Sequence, residues 1–96
     1  MKKFNFTSKV VRYPGTDGWY FACVDDRQSK RLKELPRSQK HGFNSIKVRA
    51  KIGKFQWDTS LFPSKESPYL LALKSAVRRA ESIDSGDTVK VSCVLI

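Results

Sequence analysis

The chain has 96 residues, of which 40% are hydrophobic and 11% aromatic. This length fits one domain with a modest core and excludes a large, multilayered enzyme. Lysine and arginine number 19 against 9 aspartates and glutamates, and the resulting net charge of +10 favours polyanions as partners. The aromatic content distinguishes the chain from a disordered basic tail, so we expect residues 1–96 to fold as a single domain.

The first predicted element is a strand over residues 4–13, in which Phe4, Phe6 and Val10 are separated by even numbers of residues. Because side chains alternate between the two faces of a strand, this spacing places all three on the inner face. The sequence Pro-Gly-Thr-Asp-Gly at 14–18 predicts the turn that follows.

A second strand is predicted over residues 19–24, with Trp19 in the core. Asp25 and Asp26 then favour the start of a short helix, because a carboxylate accepts from free backbone donors and complements the helix dipole. We expect this helix to end near residue 35, before a proline.

The clearest strand covers residues 46–52, where apolar and basic side chains alternate. Gly53 begins a two-residue loop suited to a tight hairpin, and the inner face should continue over 55–61, with Trp57 in the core. In this register Arg49 lies opposite Asp58, whereas the lysines on either side of Arg49 lie opposite uncharged residues.

The last third of the chain is predicted to contain a loop over 63–68, a strand over 69–73, a helix over 74–82 and a final strand over 88–96. Three residues of the helix are expected to face inward: Ala76, Val77 and Ala80. Asp87 is expected to be a residue of the turn before the final strand, with an ion pair to Arg78 as a second candidate role.

An internal similarity connects these elements, since the order strand, short helix, glycine-containing turn, strand occurs over 19–52 and again over 69–96. Two such halves can close one barrel. The pattern therefore favours a mainly β domain.

Residues throughout the chain resemble a small bacterial family, a numbered domain of unknown function that is often fused to or found near YdeI/OmpD-associated domains. The resemblance is carried by these residues and segments: Phe4, Trp19, Phe21, Val48, Ala50, Ile52, 57–63, Tyr69, Leu71, Leu73, 76–78, 86–87 and Val89. Segments 73–78 and 86–89 also resemble AbrB-like swapped-hairpin transcription factors. The resemblance implies a single-chain, six-stranded double-split (pseudo) β-barrel with two short helices. It supplies no catalytic residues.

Enzymatic function is not expected, because the sequence contains no phosphate-binding loop, dinucleotide glycine pattern or nucleophile elbow. The only histidine, His41, lies in a polar loop, and with Cys23 and Cys93 it does not form a metal-ligand spacing. We therefore expect no cofactor and no metal. With no membrane-spanning run and no disulfide framework, we expect a cytoplasmic protein with reduced, buried thiols.

The positive charge is concentrated in residues 27–54, which contain ten basic residues against the single acid Glu34. Such clustering attracts phosphate backbones and predicts salt-dependent binding of nucleic acid or another polyanion. The residues expected to contact phosphates are Arg27, Arg31, Arg37, Lys40, Lys47 and Lys51. Aromatic side chains that could add base stacking are Phe43, Tyr13 and Tyr20.

Two other interpretations stay open at this point. The basic residues could form a solvated face that keeps the protein soluble and discourages edge-to-edge strand pairing. Alternatively, the chain could be an accessory module that binds a protein partner or a small ligand at a barrel end, near Trp57 and Tyr69. The natural ligand and the oligomeric state do not follow from the sequence.

Overall fold

The computed structural model describes residues 2–13, 19–64 and 68–96. The elements in chain order are β1 (Lys3–Tyr13), β2 (Trp19–Cys23), α1 (Asp26–Lys33), β3 (Ile46–Ile52), β4 (Phe55–Pro63), β5 (Tyr69–Ala72), α2 (Ser75–Ala80) and β6 (Thr88–Leu95). Two short 3-10 turns, Arg37–Gln39 and Gly42–Asn44, lie between α1 and β3. The expected turn at 14–18 and the middle of the expected loop at 63–68 lie outside the described residues.

The six strands form a closed antiparallel barrel in the order β1-β2-β5-β4-β3-β6. Closure follows from β6, which pairs with β1 on one side and with β3 on the other. The prediction of a mainly β, six-stranded barrel with two short helices is therefore confirmed.

The barrel interior is filled by alternate side chains of each strand. The pattern is most regular in β3, where Ile46, Val48, Ala50 and Ile52 are buried and the residues between them are exposed. Inward residues of the other strands complete one core: Phe4, Phe6, Val10, Ala22, Trp57, Leu61, Tyr69, Leu71, Val89, Val91 and Cys93.

The two halves of the chain have the same connectivity. In each half two strands precede a helix and a third strand follows it, and β2 pairs with β5 as β3 pairs with β6. A rotation by half a turn that exchanges the halves therefore preserves every strand pair of the barrel. It also places α1 and α2 at opposite ends, which we call the α1 end and the α2 end.

Helix α1 begins as the sequence predicts, because the Asp25 side chain accepts a hydrogen bond from the Gln28 backbone nitrogen at 2.7 Å. The helix attaches to the barrel through two fully buried side chains, Leu32 and Ser29. The Ser29 hydroxyl donates to the Val24 carbonyl at 3.2 Å and accepts from the Tyr69 backbone nitrogen at 3.0 Å. One hydroxyl thus connects α1, the end of β2 and the start of β5.

The hairpin between β3 and β4 requires glycine at its first loop position. Gly53 has a φ of +59°, in the left-handed region that L side chains rarely adopt. A Cβ at this position would also collide with the Glu81 carboxylate. The hairpin sets the predicted register, in which Arg49 pairs with Asp58.

The prediction that Trp19 belongs to the core is wrong, since its side chain is 63% exposed. Strand β2 directs Tyr20 and Ala22 inward, and the alternation therefore directs Trp19, Phe21 and Cys23 outward. For the same reason Cys23 is only half-buried, although burial was expected.

The prediction for helix α2 is wrong in part. Helix α2 has only six residues, and of its three predicted inward side chains only Val77 is buried, whereas Ala76 and Ala80 are exposed. Asp87 is a turn residue as predicted, because its carboxylate accepts from the Asp84 backbone nitrogen at 2.8 Å and closes the turn before β6. Arg78 donates to the Leu73 carbonyl at 3.1 Å and not to Asp87.

Replacement of Ser29 by alanine tests the connection between α1 and the barrel. We expect Ser29→Ala to lower the free energy of unfolding by about 1–3 kcal/mol, because it leaves the buried Tyr69 backbone nitrogen without an acceptor. Urea unfolding should show a lower midpoint with an unchanged slope. The exposed Ser92 provides the control, and Ser92→Ala should change stability by less than about 0.5 kcal/mol.

The buried Cys93 thiol makes the stability of the folded protein depend on pH in the alkaline range. Burial raises the pKa of Cys93 from 9.0 to about 12. The folded protein therefore holds this proton at pH values where the unfolded chain has lost it, and stability falls as pH rises between these two pKa values.

We expect the free energy of unfolding to decrease above pH 9 by at most about 1.4 kcal/mol per pH unit from this group. Below that pH the group makes no contribution to the slope. The measurement is urea unfolding at a series of alkaline pH values, with Cys93→Ala showing a shallower pH dependence and Cys23→Ala retaining most of it. If the free energy of unfolding falls equally steeply with pH in the wild type and in Cys93→Ala, the pH dependence does not come from Cys93.

Candidate polyanion-binding surface

The six predicted phosphate-contacting residues fall into two groups in the structure. Arg27 and Arg31 lie on α1, and Arg37 and Lys40 follow in the segment after it, so these four are at the α1 end. The other two, Lys47 and Lys51, point outward from β3 on the side of the barrel. The structure therefore does not gather all six into one compact cluster.

Neighbouring strands extend the cationic side of the barrel beyond β3. Because β3 pairs with β6 and β6 pairs with β1, the outward residues of these three strands share one surface. We call its cationic residues the basic wall: Lys3 and Lys9 of β1, Lys47, Arg49 and Lys51 of β3, and Lys90 of β6. All six side chains are exposed.

The strand register sets the spacing within the basic wall. Lys51 is opposite Ser92 on β6, so Lys90 is its diagonal neighbour at about 7–8 Å between Cα atoms. Lys3 and Arg49 flank Val94 from opposite sides and are about 10 Å apart. The positions between the cations are occupied by Asn5 and Thr7 of β1 and by Ser92 and Val94 of β6.

One ion pair lies at the margin of the basic wall. Arg49 donates from Nε to Asp58 Oδ1 at 2.8 Å and from Nη2 to Oδ2 at 3.3 Å. The hydrogen bond from Arg49 and its positive charge hold the pKa of Asp58 below its usual value, and the same bond raises the pKa of Arg49. Strands β1, β3, β4 and β6, which are described throughout, carry no other carboxylate, so no acidic residue of these strands compensates the five lysines of the basic wall.

The cations at the α1 end have structural roles as well. The Lys40 ammonium donates to the Lys33 carbonyl at 2.7 Å and thereby supplies a hydrogen-bond donor to a backbone carbonyl in the last turn of α1. Lys30, Arg31 and Lys33 lie in that last turn, where positive charge complements the helix dipole. The helix dipole and capping thus account for part of the charge in 27–54 without any ligand.

The three aromatic candidates for base stacking have different environments. Phe43 is 91% exposed, has a φ of 59° and lies four residues before Lys47. Tyr13 is exposed, but it lies on the opposite side of the barrel. The ring of Tyr20 is covered by the Arg78 guanidinium, 3.8 Å from its centroid, so Phe43 is the candidate placed nearest to the basic wall.

The two residues expected to line a barrel-end pocket, Trp57 and Tyr69, are both buried. Tyr69 is paired with Pro63 at the α1 end, whereas Trp57 is six residues away along β4 and packs on Phe55, so the two do not share one pocket. The Tyr69 hydroxyl donates to the Asn44 carbonyl at 3.4 Å, and burial raises its pKa.

The barrel ends carry open depressions lined by other residues. A depression of about 500 Å³ at the α1 end lies between Leu35, Gln39 and Ile96. At the α2 end a depression of about 330 Å³ lies between Trp19, Tyr20 and Arg78.

A metal-binding cluster and a membrane-spanning helix are absent from the described residues. Within residues 2–13, 19–64 and 68–96, no three His, Cys, Asp or Glu side chains are grouped closely enough to hold a metal ion. None of the helices described above has the length and apolarity needed to cross a membrane. His41 is exposed, and its backbone nitrogen donates to the Ser45 carbonyl at 2.8 Å.

Sequence reasoning missed Lys3, Lys9 and Lys90 as members of the cationic surface. They lie far from residues 27–54 in the chain and reach Lys51 only through the pairing of β6 with β3 and β1. The alternation of lysine with buried residues in β1 and β6 does indicate that these lysines point outward. Strand order was the information that the sequence pattern did not contain.

Comparison with known protein families identifies the family of this chain. The model of the domain of unknown function DUF1905 matches residues 6–93, which is most of the chain. A search of curated proteins found no match. The matched span contains the whole of β2 to β5 and most of β1 and β6, and the chain therefore belongs to the DUF1905 family.

Proposed function

We propose that this protein is a non-enzymatic module that binds nucleic acid through the basic wall. It recognises the charged phosphate backbone and not the base sequence. The observation that carries the proposal is the group of five lysines on three adjacent strands, none of which forms an ion pair with another described residue, while Asp58 at the margin of the wall is already paired to Arg49. Such a surface attracts phosphates and releases their condensed counterions on binding. The cations at the α1 end, including Arg27 and Arg31, extend the same positive field.

The absence of a built base-reading element from the basic wall favours backbone contacts over sequence recognition. The wall is formed by strands β1, β3 and β6 and carries no helix that could enter a major groove. Five of its six cations are lysines, and the sixth, Arg49, is already paired to Asp58, so contacts with phosphates are favoured over contacts with base edges. Phe43 adds one exposed ring on which an unpaired base could stack. We therefore expect single strands to gain more from Phe43 than duplexes do.

Three finer proposals accompany this function: a double-split barrel, a protein partner and a cytoplasmic setting. The resemblance to AbrB-like transcription factors supports the double-split barrel, and the association of the family with YdeI/OmpD-associated domains supports a protein partner. The free thiols of Cys23 and Cys93 support a reducing, cytoplasmic setting. No cofactor or metal takes part in the proposed binding.

Charge reversal on the basic wall tests the proposal. We expect Lys47→Glu with Lys51→Glu to weaken duplex binding by roughly tenfold or more and to reduce the slope of log affinity against log salt by about two. The measurement is fluorescence anisotropy of labelled DNA and RNA, single-stranded and duplex, from about 50 to 200 mM salt. Lys90→Glu alone should weaken binding as much as Lys51→Glu alone.

The matched control makes the same charge change elsewhere. Lys74→Glu with Arg79→Glu alters two exposed cations near the α2 end and should leave most of the affinity intact. An equal loss in this control would mean that net charge alone drives binding. Unchanged binding in the double mutant of the wall would contradict the proposal outright.

Removal of the Asp58 carboxylate, at the margin of the basic wall, should strengthen binding. We expect Asp58→Asn to tighten binding severalfold and to steepen the salt slope by about one, because Arg49 is then free to contact a phosphate. The same anisotropy titration checks this. Weaker binding of Asp58→Asn would argue against phosphate contacts at this part of β3.

A further inference from the structure

The side of the barrel opposite the basic wall is apolar. Strands β2 and β5 lie across the closed barrel from β3 and β6. We call this surface the apolar wall, and it consists of the outward side chains Val11, Tyr13, Trp19, Phe21, Cys23, Phe62, Leu70 and Ala72. The strand registers make it continuous, since each residue is opposite another member on a neighbouring strand.

The apolar wall is accessible to solvent. Trp19 is 63% exposed, Tyr13 48%, Phe62 43% and Val11 40%. The ring centroid of Phe21 lies 5.1 Å from that of Tyr13 and 6.2 Å from that of Trp19, so three aromatic rings form one cluster. Single exposed apolar residues are ordinary, whereas a contiguous patch in the upper part of the range that monomers expose is often a functional surface.

The area of the patch suits a second copy of this chain. From the sizes of its aromatic and aliphatic side chains and their exposed fractions, the wall presents about 500 Å² of apolar surface. Two such walls in contact would bury about 1,000 Å², which is the lower limit for a specific protein interface. Tyrosine, tryptophan and phenylalanine are also the residues enriched at the centres of such interfaces.

The distribution of charge permits this self-association despite the net charge of +10. Strands β2 and β5 contain no charged residue. The basic walls would face outward on opposite sides of the pair, and the molecule is 22 Å across even in its shortest dimension. Since the Debye length at physiological salt is about 8 Å, repulsion between the two basic walls is screened.

We propose that two copies of this chain pair through their apolar walls in a two-fold symmetric homodimer. The interface is isologous, so the Trp19 and Tyr13 cluster of one copy packs against the same surface of its partner. Trp19 lies at the α2 end of the wall and carries its largest exposed ring, so we expect it to contribute most to the contact. This inference does not depend on polyanion binding, because it uses the opposite side of the barrel.

The test is the molecular mass of the full chain in solution, measured by sedimentation equilibrium from low micromolar to submillimolar concentration. We expect a reversible monomer–dimer equilibrium with a dissociation constant in the micromolar range. Raising the salt should leave the dimer intact or strengthen it, because salt screens the charge repulsion. Trp19→Glu and Phe62→Glu should each weaken the dimer by tenfold or more.

Val94 supplies the matched control, because it is as exposed as Phe62, at 43%, but lies on the side of the basic wall. Val94→Glu should leave dimerisation unchanged, and circular dichroism should show that all three variants are folded. A wild-type chain that is monomeric at every concentration would overturn the proposal and leave the wall to a different protein. A dimer that survives both Trp19→Glu and Phe62→Glu, or that Val94→Glu also disrupts, would overturn it as well.

Discussion

The pairing of β6 with both β1 and β3 is the constraint on which the rest of the structure depends. It joins the last strand to the first, closes the barrel and buries Val91 and Cys93 in the core. The same pairing brings Lys90 between lysines that are separated from it by roughly half of the chain or more. Closure therefore produces both the core and the basic wall, since the inward residues fill one and the outward residues form the other.

Closure also separates two surfaces of different chemistry. Strand β1 belongs to both, because its first part pairs with β6 and carries Lys3 and Lys9, whereas its last part pairs with β2 and carries Val11 and Tyr13. A polyanion and a second protein could thus contact the barrel at the same time. A dimer formed through the apolar walls would present two basic walls, one on each outer side, and could contact two segments of one polyanion.

Local sequence patterns predicted what depends on neighbours in the chain. The alternation in 46–52, the glycine-first hairpin at Gly53 and the Asp25 cap all appear in the structure, because each is determined within a few residues. Trp19 was misassigned because a tryptophan in a short apolar strand resembles core residues until the direction of β2 is known. The grouping of Lys51 with Lys90 depends on pairing between distant strands, which hydrophobic periodicity does not encode.

We propose that polyanions bind the barrel on the side formed by β1, β3 and β6. The most direct measurement is a map of backbone amide shifts by heteronuclear NMR during titration with a short duplex oligonucleotide. We expect the largest shift changes in β1 from Lys3 to Lys9, in β3 and in β6, with smaller changes in α1. Changes centred on β2 and β5, or the absence of any change at low salt, would contradict it.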